Sequence, residues 1–594
     1  MTGRSILALL CALSLPVAAE AAGCQLGKLV ELPVTMSGSQ PLVDGKINGK
    51  SVQLLLDSGA FYSFLTPALA KQMDLNLDPL PPNFIVRGLG GSVYMSVTRV
   101  KEFVLGAIPV PNVQFLVGGS DAGTGGIMGQ NVLRIGDDEY DFANGVFRII
   151  KPKDCSKANL AYWAGVGTAY SQLAIDSNAN KAFADTKGTA YLNGKKIRVQ
   201  FDTGAGSSYL TLGAAERVGF RTDGPGVVEA GITTGVGRKA VKTWVGPFES
   251  FKIGDEEIHN IRLRVGENAL GDVDLLVGAD FFLSHHVYVS NEQRKVYFTY
   301  NGGPVFNIKT ILSRAATELP GTVASTAPAD SPPLDTGEPA DAEGFSRRGA
   351  ASASRGDLEH AIADLTKATQ LAPTEPRYFV QLGDARLSNR QPALAMANYD
   401  QALHLKPDLV PALLSRAQLR VGSRDFAAAA ADLDTIDGLI PKEEVIRIQM
   451  GNLYTRIGAL DKAVGQLDRW IDARGDSGRT LQPLTLRCRA RGLWDKDLDK
   501  ALKDCNAALR LNPDGPEVLD ARGIVHIRMH DYDHAIADFD AVLKARPRNA
   551  GSLYLRGLAR VKKGLTAAGE EDIAAARKLF PGIADETKRY GLTP

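Results

Sequence analysis

Histidine and cysteine are scarce in this chain. Its 594 residues include 8 His and 5 Cys. Neither type falls in metal-site spacing, since Cys-x-x-Cys, a Cys/His set and His-Glu-x-x-His are all missing, so no metal and no organic cofactor is implied. His285 and His286 are adjacent, which in a strand sends them to opposite faces and keeps them from acting as a metal pair. The absence of Gly-x-Ser-x-Gly removes the signature of a serine hydrolase. A net charge of +1 gives no electrostatic case for nucleic acid or an anionic membrane. Beyond the N-terminus no apolar run is long enough to span a bilayer, so no transmembrane segment is expected.

What is present points to several domains. At 44% apolar and 23% charged residues, the chain is long enough for two or three cores. Residues 1–21 read as an export signal: a basic start through Arg4, an apolar run Ile6 to Val17, and small residues at Ala19 and Ala21 around Glu20. The expected location is periplasmic or secreted. An alternative reads Ala21-Ala22-Gly23-Cys24 as a degenerate lipoprotein signal with Cys24 acylated. With Cys11 lost alongside the signal, Cys24, Cys155, Cys488 and Cys505 form an even set suited to an oxidising space. Cys24 and Cys155 bracket the first lobe described below, and Cys488 and Cys505 fall on adjacent helices. Both pairs are disulfide candidates.

The chain is organised around two near-copies, Leu54 to Leu65 and Gln200 to Leu210. In each, an apolar strand runs into an acidic residue, a hydroxyl residue and a glycine: Asp57-Ser58-Gly59 and Asp202-Thr203-Gly204. The glycine is expected to permit a tight turn. If the turns met, their carboxylates could not both ionise cheaply and would share a proton, one then charged and one neutral at the same pH. That pair can activate a water against a peptide carbonyl.

The surroundings are duplicated too. Asn48-Gly49-Lys50 and Asn193-Gly194-Lys195 stand at the same offset before the two aspartates, and Asn-Gly between strand-like runs is a hairpin cue. Gly88-Leu89-Gly90-Gly91 and Gly231 to Gly237 are glycine-rich hairpin tips. Gly126-Ile127-Met128-Gly129-Gln130-Asn131 matches Leu275-Leu276-Val277-Gly278-Ala279-Asp280. The offsets between matching points stay between 145 and 149, the mark of an internal duplication.

This set of motifs resembles the retropepsin-like aspartic proteases, across roughly residues 40 to 300. The resemblance implies an all-β, double-lobed acid-protease fold in which the apolar-apolar-Gly segment passes beneath each turn. It implies Asp57 and Asp202 as the catalytic pair, with Ser58, Gly59, Thr203 and Gly204 supporting them, and a peptide or protein substrate in the cleft between lobes. Gly90, Tyr94 and Gly235 are the candidate flap residues; Tyr94 could instead be strand packing. Where pepsin-like enzymes usually carry a serine able to hydrogen-bond the ionised carboxylate, Ala60 and Ala205 stand here. The pair should therefore titrate higher, with activity peaking in mildly acidic to near-neutral solution.

The order expected along the chain is lobe one at 22–152, a connector at 153–180 carrying a short strand or helix, and lobe two at 181–306. A Pro-, Ala-, Ser- and acid-rich flexible linker follows at 307–344. From 345 to 594 the prolines keep time: Pro339, Pro373, Pro407 and Pro441, then Pro513, Pro547 and Pro581, recur every 34 residues, with Gly475 at the missing beat. That is the period of tetratricopeptide repeats, about seven units. Small residues such as Ala361 and Ala395 fit helix crossings, large ones such as Leu365 and Tyr399 would fill the groove between units, and Gly349, Gly383, Gly451, Gly523 and Gly557 hold the usual glycine position. Such repeats stack into an all-α solenoid whose concave face commonly receives a peptide or protein partner. The leading reading is an exported aspartic endopeptidase. The competing one is a non-catalytic peptide-binding scaffold with a decayed protease fold.

Overall fold

The computed structural model describes residues 23–81, 84–89, 91–118, 125–165, 169–176, 185–233, 235, 241–267, 270–306, 338–474 and 480–594. The expected signal 1–21, most of the expected linker, Gly90 and Gly475 lie outside the described residues. The N-terminal half is β-rich, and the C-terminal half is a run of helices.

Each lobe opens on a hairpin. Gln40–Ile47 pairs with Lys50–Leu56, and Lys187–Leu192 pairs with Lys195–Phe201. Both turns have positive φ at the Asn and the Gly (48° and 82° at Asn48-Gly49, 48° and 72° at Asn193-Gly194), the twist that a two-residue hairpin needs. The asparagines do a second job: Asn48 Oδ1 accepts from Glu102 N–H at 3.2 Å and Asn193 Oδ1 from Glu249 N–H at 2.9 Å, tying each turn to its neighbouring strand.

Six antiparallel strands at one end of a 15-stranded sheet join the lobes, in the order Ser171–Ala174, Lys295–Tyr300, His285–Ser290, Asp137–Asp141, Val146–Lys153, Gln25–Ser37, the sheet continuing from there into the first lobe. The crossing point is Asp138 opposite Val289 and Tyr140 opposite Val287. The connector thus contributes one strand, Ser171–Ala174, to the shared sheet. All five residues of Asp137-Asp138-Glu139-Tyr140-Asp141 are buried; groups distant in sequence meet Asp137 and Glu139, while Asp138 and Asp141 bond to the nearby Tyr140 and Asn144. Glu139 takes Arg148 Nη1 at 2.9 Å, His286 Nε2 at 2.7 Å and the Tyr162 hydroxyl at 2.5 Å. Asp137 accepts from Tyr288 Oη and Asn291 N–H. His285 turns the other way, to Glu256 at 3.1 Å. Cys24 is bonded to Cys155 (Cα–Cα 4.6 Å), tying the two ends of the first lobe and engaging the Cys24 Sγ. Cys488 is bonded to Cys505 across an adjacent helix pair (Cα–Cα 5.6 Å).

Among the described residues the solenoid consists of seven helix pairs, from Ala342–Arg355 with Leu358–Leu371 to Ala550–Lys562 with Thr566–Leu579, followed by a short helix Ile583–Lys588. The large residues do not simply fill gaps between units, as the spacing suggests. A Cβ on Gly383 would lie 2.4 Å from the Tyr399 ring, one on Gly349 2.8 Å from Leu365, and one on Gly523 2.6 Å from Phe539. Glycine in the first helix of a unit makes room for the large residue of that unit's second helix. A further periodic element is a bidentate ion pair between the two helices: Arg348 with Asp364, Arg416 with Asp432, Arg522 with Asp538 and Arg556 with Asp572.

The solenoid does not hang from the protease-like body. Its first helix starts at Ala342, capped by Asp341, and Ala350 and Ala351 are part of the lobes' own apolar core. A Cβ on Gly145 would come 2.5 Å from Arg347 Cβ, and Arg355 donates to the Leu283 carbonyl. Further along, Glu443 comes within 3.9 Å of Lys71 on lobe one, so the spiral curls over the body. The last residues reach back: Tyr590 Oη donates to Thr455 O at 3.0 Å and the Arg589 guanidinium lies 4.4 Å from the Phe426 ring. Among the described residues no helix is long and apolar enough to cross a membrane.

Candidate active site

Asp57 follows the strand Lys50–Leu56, and Asp202 follows Lys195–Phe201. Beneath each turn runs the short strand that the sequence pairs with it. Gly126–Met128 lies parallel to Lys50–Leu56, and Leu275–Val277 parallel to Lys195–Phe201. Asp57 N–H donates to Met128 O at 3.0 Å, and Asp202 N–H to Val277 O at 2.9 Å. The glycine after each strand is dictated by contact: a Cβ on Gly129 would meet Tyr62 O at 2.4 Å, and one on Gly278 would meet Ala205 O at 2.6 Å.

The two turns interlock. Ser58 N–H donates to Thr203 Oγ1 (2.9 Å), whose hydroxyl donates to Leu56 O (2.7 Å). Reciprocally, Thr203 N–H donates to Ser58 Oγ (3.1 Å), whose hydroxyl donates to Phe201 O (3.1 Å). Both hydroxyl residues are buried, so these four bonds hold the turns in register where water cannot compete. The flanking glycines serve a purpose other than the expected turn. Neither Gly59 nor Gly204 has positive φ. A Cβ on Gly59 would lie 2.4 Å from Asp202 Cγ, and one on Gly204 2.3 Å from Asp57 Cγ. Each glycine leaves the space that the opposite carboxyl occupies.

The carboxyls are hydrogen-bonded to each other. Burial first, then repulsion from Asp202 and the shared hydrogen bond, raise Asp57 well above the usual carboxylate range, against the pull of the Ala60 and Gly59 N–H groups. Burial also raises Asp202, opposed by the hydrogen bond from Asp57 and by the Ala205 and Gly204 backbone. Both are raised, so the pair shares a single proton where the two carboxyls cannot both ionise cheaply. Both side chains stand at a cavity of about 2370 Å³.

Support comes from residues whose role the sequence did not reveal. Gln130 Nε2 donates to Ser58 O at 2.7 Å and Gln200 Nε2 to Gly59 O at 3.3 Å. Ser63 bridges Gly129 N–H and Asn131 Oδ1, and Ser208 bridges Gly278 N–H and Asp280 in the equivalent place. Burial pushes Asp280 up to about 6 despite donors from Ser208 and Phe281. The polar residue two beyond each glycine, Asn131 or Asp280, was the only sequence signal for this pair.

Two hairpins overhang the cavity: Val86–Gly88 with Gly91–Val93, and Val228–Thr233 with Val241–Ile253. Their tips meet, since a Cβ on Gly235 would lie 2.7 Å from Leu89 Cβ. Leu89 packs against the cluster of Tyr209, Val273 and Leu276 of the other lobe. Gly90 lies outside the described residues, so the tip side chain on the page is Leu89. Tyr94, expected as a flap aromatic or as strand packing, takes neither place: it is 75% exposed and is absent from the cavity wall, because the hairpin strand ends at Val93.

Among the described residues one group has metal-like spacing, His526, Asp531 and His534, with ligand atoms within 4.8 Å of one another. Asp531 caps the His534 N–H at the start of its helix, and Asp357 caps His360 in the same way in the first unit. The acid is thus accounted for as a helix cap.

Paired Asp-hydroxyl-Gly turns, interlocked across a two-lobed β body, define an aspartyl-protease-like region. Family models agree: "Aspartyl protease" matches residues 43–132, "gag-polyprotein putative aspartyl protease" matches 188–284, and "Tetratricopeptide repeat" matches 521–582. The chain therefore couples aspartyl-protease-like lobes to a tetratricopeptide region. No curated protein matches it. Similar solved structures include a tetratricopeptide repeat protein from Parabacteroides merdae, 18% identical with a TM-score of 0.34 over 42% of this chain and 98% of that one. The Cut9–Hcn1 hetero-tetramer of APC/C is 14% identical with a TM-score of 0.33, over 43% and 50%. YrrB, a TPR protein with an unusual peptide-binding site, is 17% identical with a TM-score of 0.20, over 36% and 92%.

Proposed function

We propose that this protein is an exported aspartic endopeptidase that hydrolyses peptide bonds with Asp57 and Asp202, its tetratricopeptide region binding a protein partner or the substrate itself. The observation that carries the reading is the hydrogen-bonded carboxyl pair at the cavity floor, locked by the Ser58 and Thr203 bonds. In the reaction, the charged carboxylate of the pair takes a proton from a water as the water oxygen bonds to the scissile carbonyl carbon, while the protonated one gives its proton to the carbonyl oxygen. The tetrahedral diol then collapses: the carboxyl that took water's proton passes it to the nitrogen, the C–N bond breaks, and the other carboxylate takes a proton from a diol hydroxyl, so the pair again holds one proton. The two cystines support an oxidising compartment outside the cytoplasm.

The test is cleavage of an unfolded protein by wild type, Asp57→Asn and Asp202→Asn, with a secondary-alcohol peptide isostere as inhibitor. The expected result is turnover by wild type only, blocked by the isostere. A wild type that binds peptides but turns none over at any pH would leave the scaffold reading standing.

A further inference from the structure

We infer that the cleft and the inner face of the solenoid form one continuous channel, and that the substrate class is extended, unfolded polypeptide gripped far beyond the scissile bond. This rests on the peptidase reading above. The cavity that holds Asp57 and Asp202 does not end at the lobes: its wall continues through Ala350, Val380, Pro411, Ile448, Gln482 and Val518. These come from the first helix of each of six successive units. At about 2370 Å³ it exceeds by more than twofold the upper size of sites for drug-sized ligands, about 1,000 Å³.

The channel is a fixed feature because its two walls are one packed body. Ala350 and Ala351 sit in the lobes' core, so the first unit cannot swing away without opening that core. The chemistry of the wall suits an unfolded chain. Apolar groups such as Val380, Ile448 and Trp470 share the wall with neutral amides able to pair with peptide groups, Gln482 and Asn512. The charges on the wall are largely offset, Arg377 by Glu343, Arg546 by Glu517 and Lys242 by Glu229, so neither acidic nor basic sequences are selected. Overhead, the hairpin tips meet at Leu89 and Gly235, so a substrate enters beneath them and not from above.

The experiment compares an octapeptide with an unstructured peptide of about thirty residues carrying the same cleavage sequence. It also compares a small domain in its folded and permanently unfolded forms. Two wall variants at solvent-exposed positions, Gln482→Trp and Pro411→Trp, narrow the solenoid end, and their melting temperatures report intact folding. The expected results are a long-to-short ratio of kcat/KM of at least ten in wild type, a fall of that ratio toward one in the variants, and cleavage of the unfolded domain alone. In the Asp57→Asn background the long peptide's Kd should weaken about tenfold with either wall variant. If that binding effect appears while wild type turns nothing over, the channel stands and the peptidase reading falls. Equal kcat/KM for both peptides, or wall variants without effect on either readout, overturns the channel. So does a stable complex between the solenoid and a folded partner that the long peptide fails to displace.

Discussion

Ala205 gives the most direct lever on the acid pair. Its N–H donates to Asp202 Oδ1 at 3.1 Å, so a side-chain hydroxyl branching from the same residue can reach the same carboxyl group. Replacing Ala205 by Ser adds a donor that interacts with the charged form of the pair. A hydrogen bond to a charged group contributes about 1.5 kcal/mol at the lower end of the usual range, and the cleft face of the site favours the lower end. Divided by about 1.36 kcal/mol per pH unit, this moves the first ionisation of the pair down by about one unit. The sign is fixed: stabilising the singly charged pair relative to the fully protonated one extends activity to lower pH. The alkaline limb, set by loss of the pair's remaining proton, moves far less. The assay is kcat/KM against pH on a short peptide, with Ala205→Cys as a control of similar bulk and weak donor strength. An acidic limb that stays in place, or moves upward, refutes a singly charged pair that takes a donor from residue 205.

Asp57→Asn should abolish turnover yet stabilise the fold. Asp57 is raised above its unfolded value by burial and by Asp202, so its contribution is fully present below about pH 4 and is lost as pH rises through the folded value. The Tm of the variant should thus match wild type near pH 3.5 and exceed it by about 2 to 4 °C or more at pH 7; calorimetry at both pH values checks this. In the solenoid, Arg348→Leu alone leaves the buried Asp364 unpaired and should cost about 3 kcal/mol. Adding Asp364→Asn copies the Leu382 and Asn398 of the second unit and should restore most of it, as denaturant unfolding of the three proteins will show. The cystines close spans of 131 and 17 residues, for which chain entropy gives about 5 and about 3 kcal/mol. Cys24→Ser with Cys155→Ser should therefore lower the unfolding midpoint more than Cys488→Ser with Cys505→Ser.

The parts legible in the sequence are those set by local pattern or by repetition. The duplicated Asp-hydroxyl-Gly turns, the Asn-Gly hairpins and the 34-residue proline beat each announce themselves within a few residues. The parts that stayed hidden depend on partners far along the chain. Nothing in the local pattern of Asp137-Asp138-Glu139-Tyr140-Asp141 marks it as buried; Glu139 is met by His286 and Arg148, and Asp137 by Tyr288 and Asn291. Gly59 and Gly204 look like turn glycines, while what they accommodate is a carboxyl from the opposite lobe. Ala350 and Ala351 are ordinary small residues of a repeat, and only the fold reveals that they are also core residues of the lobes. Four bidentate ion pairs of the solenoid recur at a separation of 16 residues, and Arg487 with Asp504 at 17, a signal present in the sequence but masked by the general abundance of Arg and Asp.

The strand that carries those buried acids has a consequence for how the molecule is made. Asp137 waits for Tyr288, 151 residues later, so at about 5 to 20 residues per second a growing chain leaves this edge bare for about 8 to 30 s. During that interval the nascent first half offers an open row of backbone donors and acceptors, the template on which misassembly starts. A gene cut between the halves would make that condition permanent, which is why the protein should be expressible whole and refractory to expression in pieces.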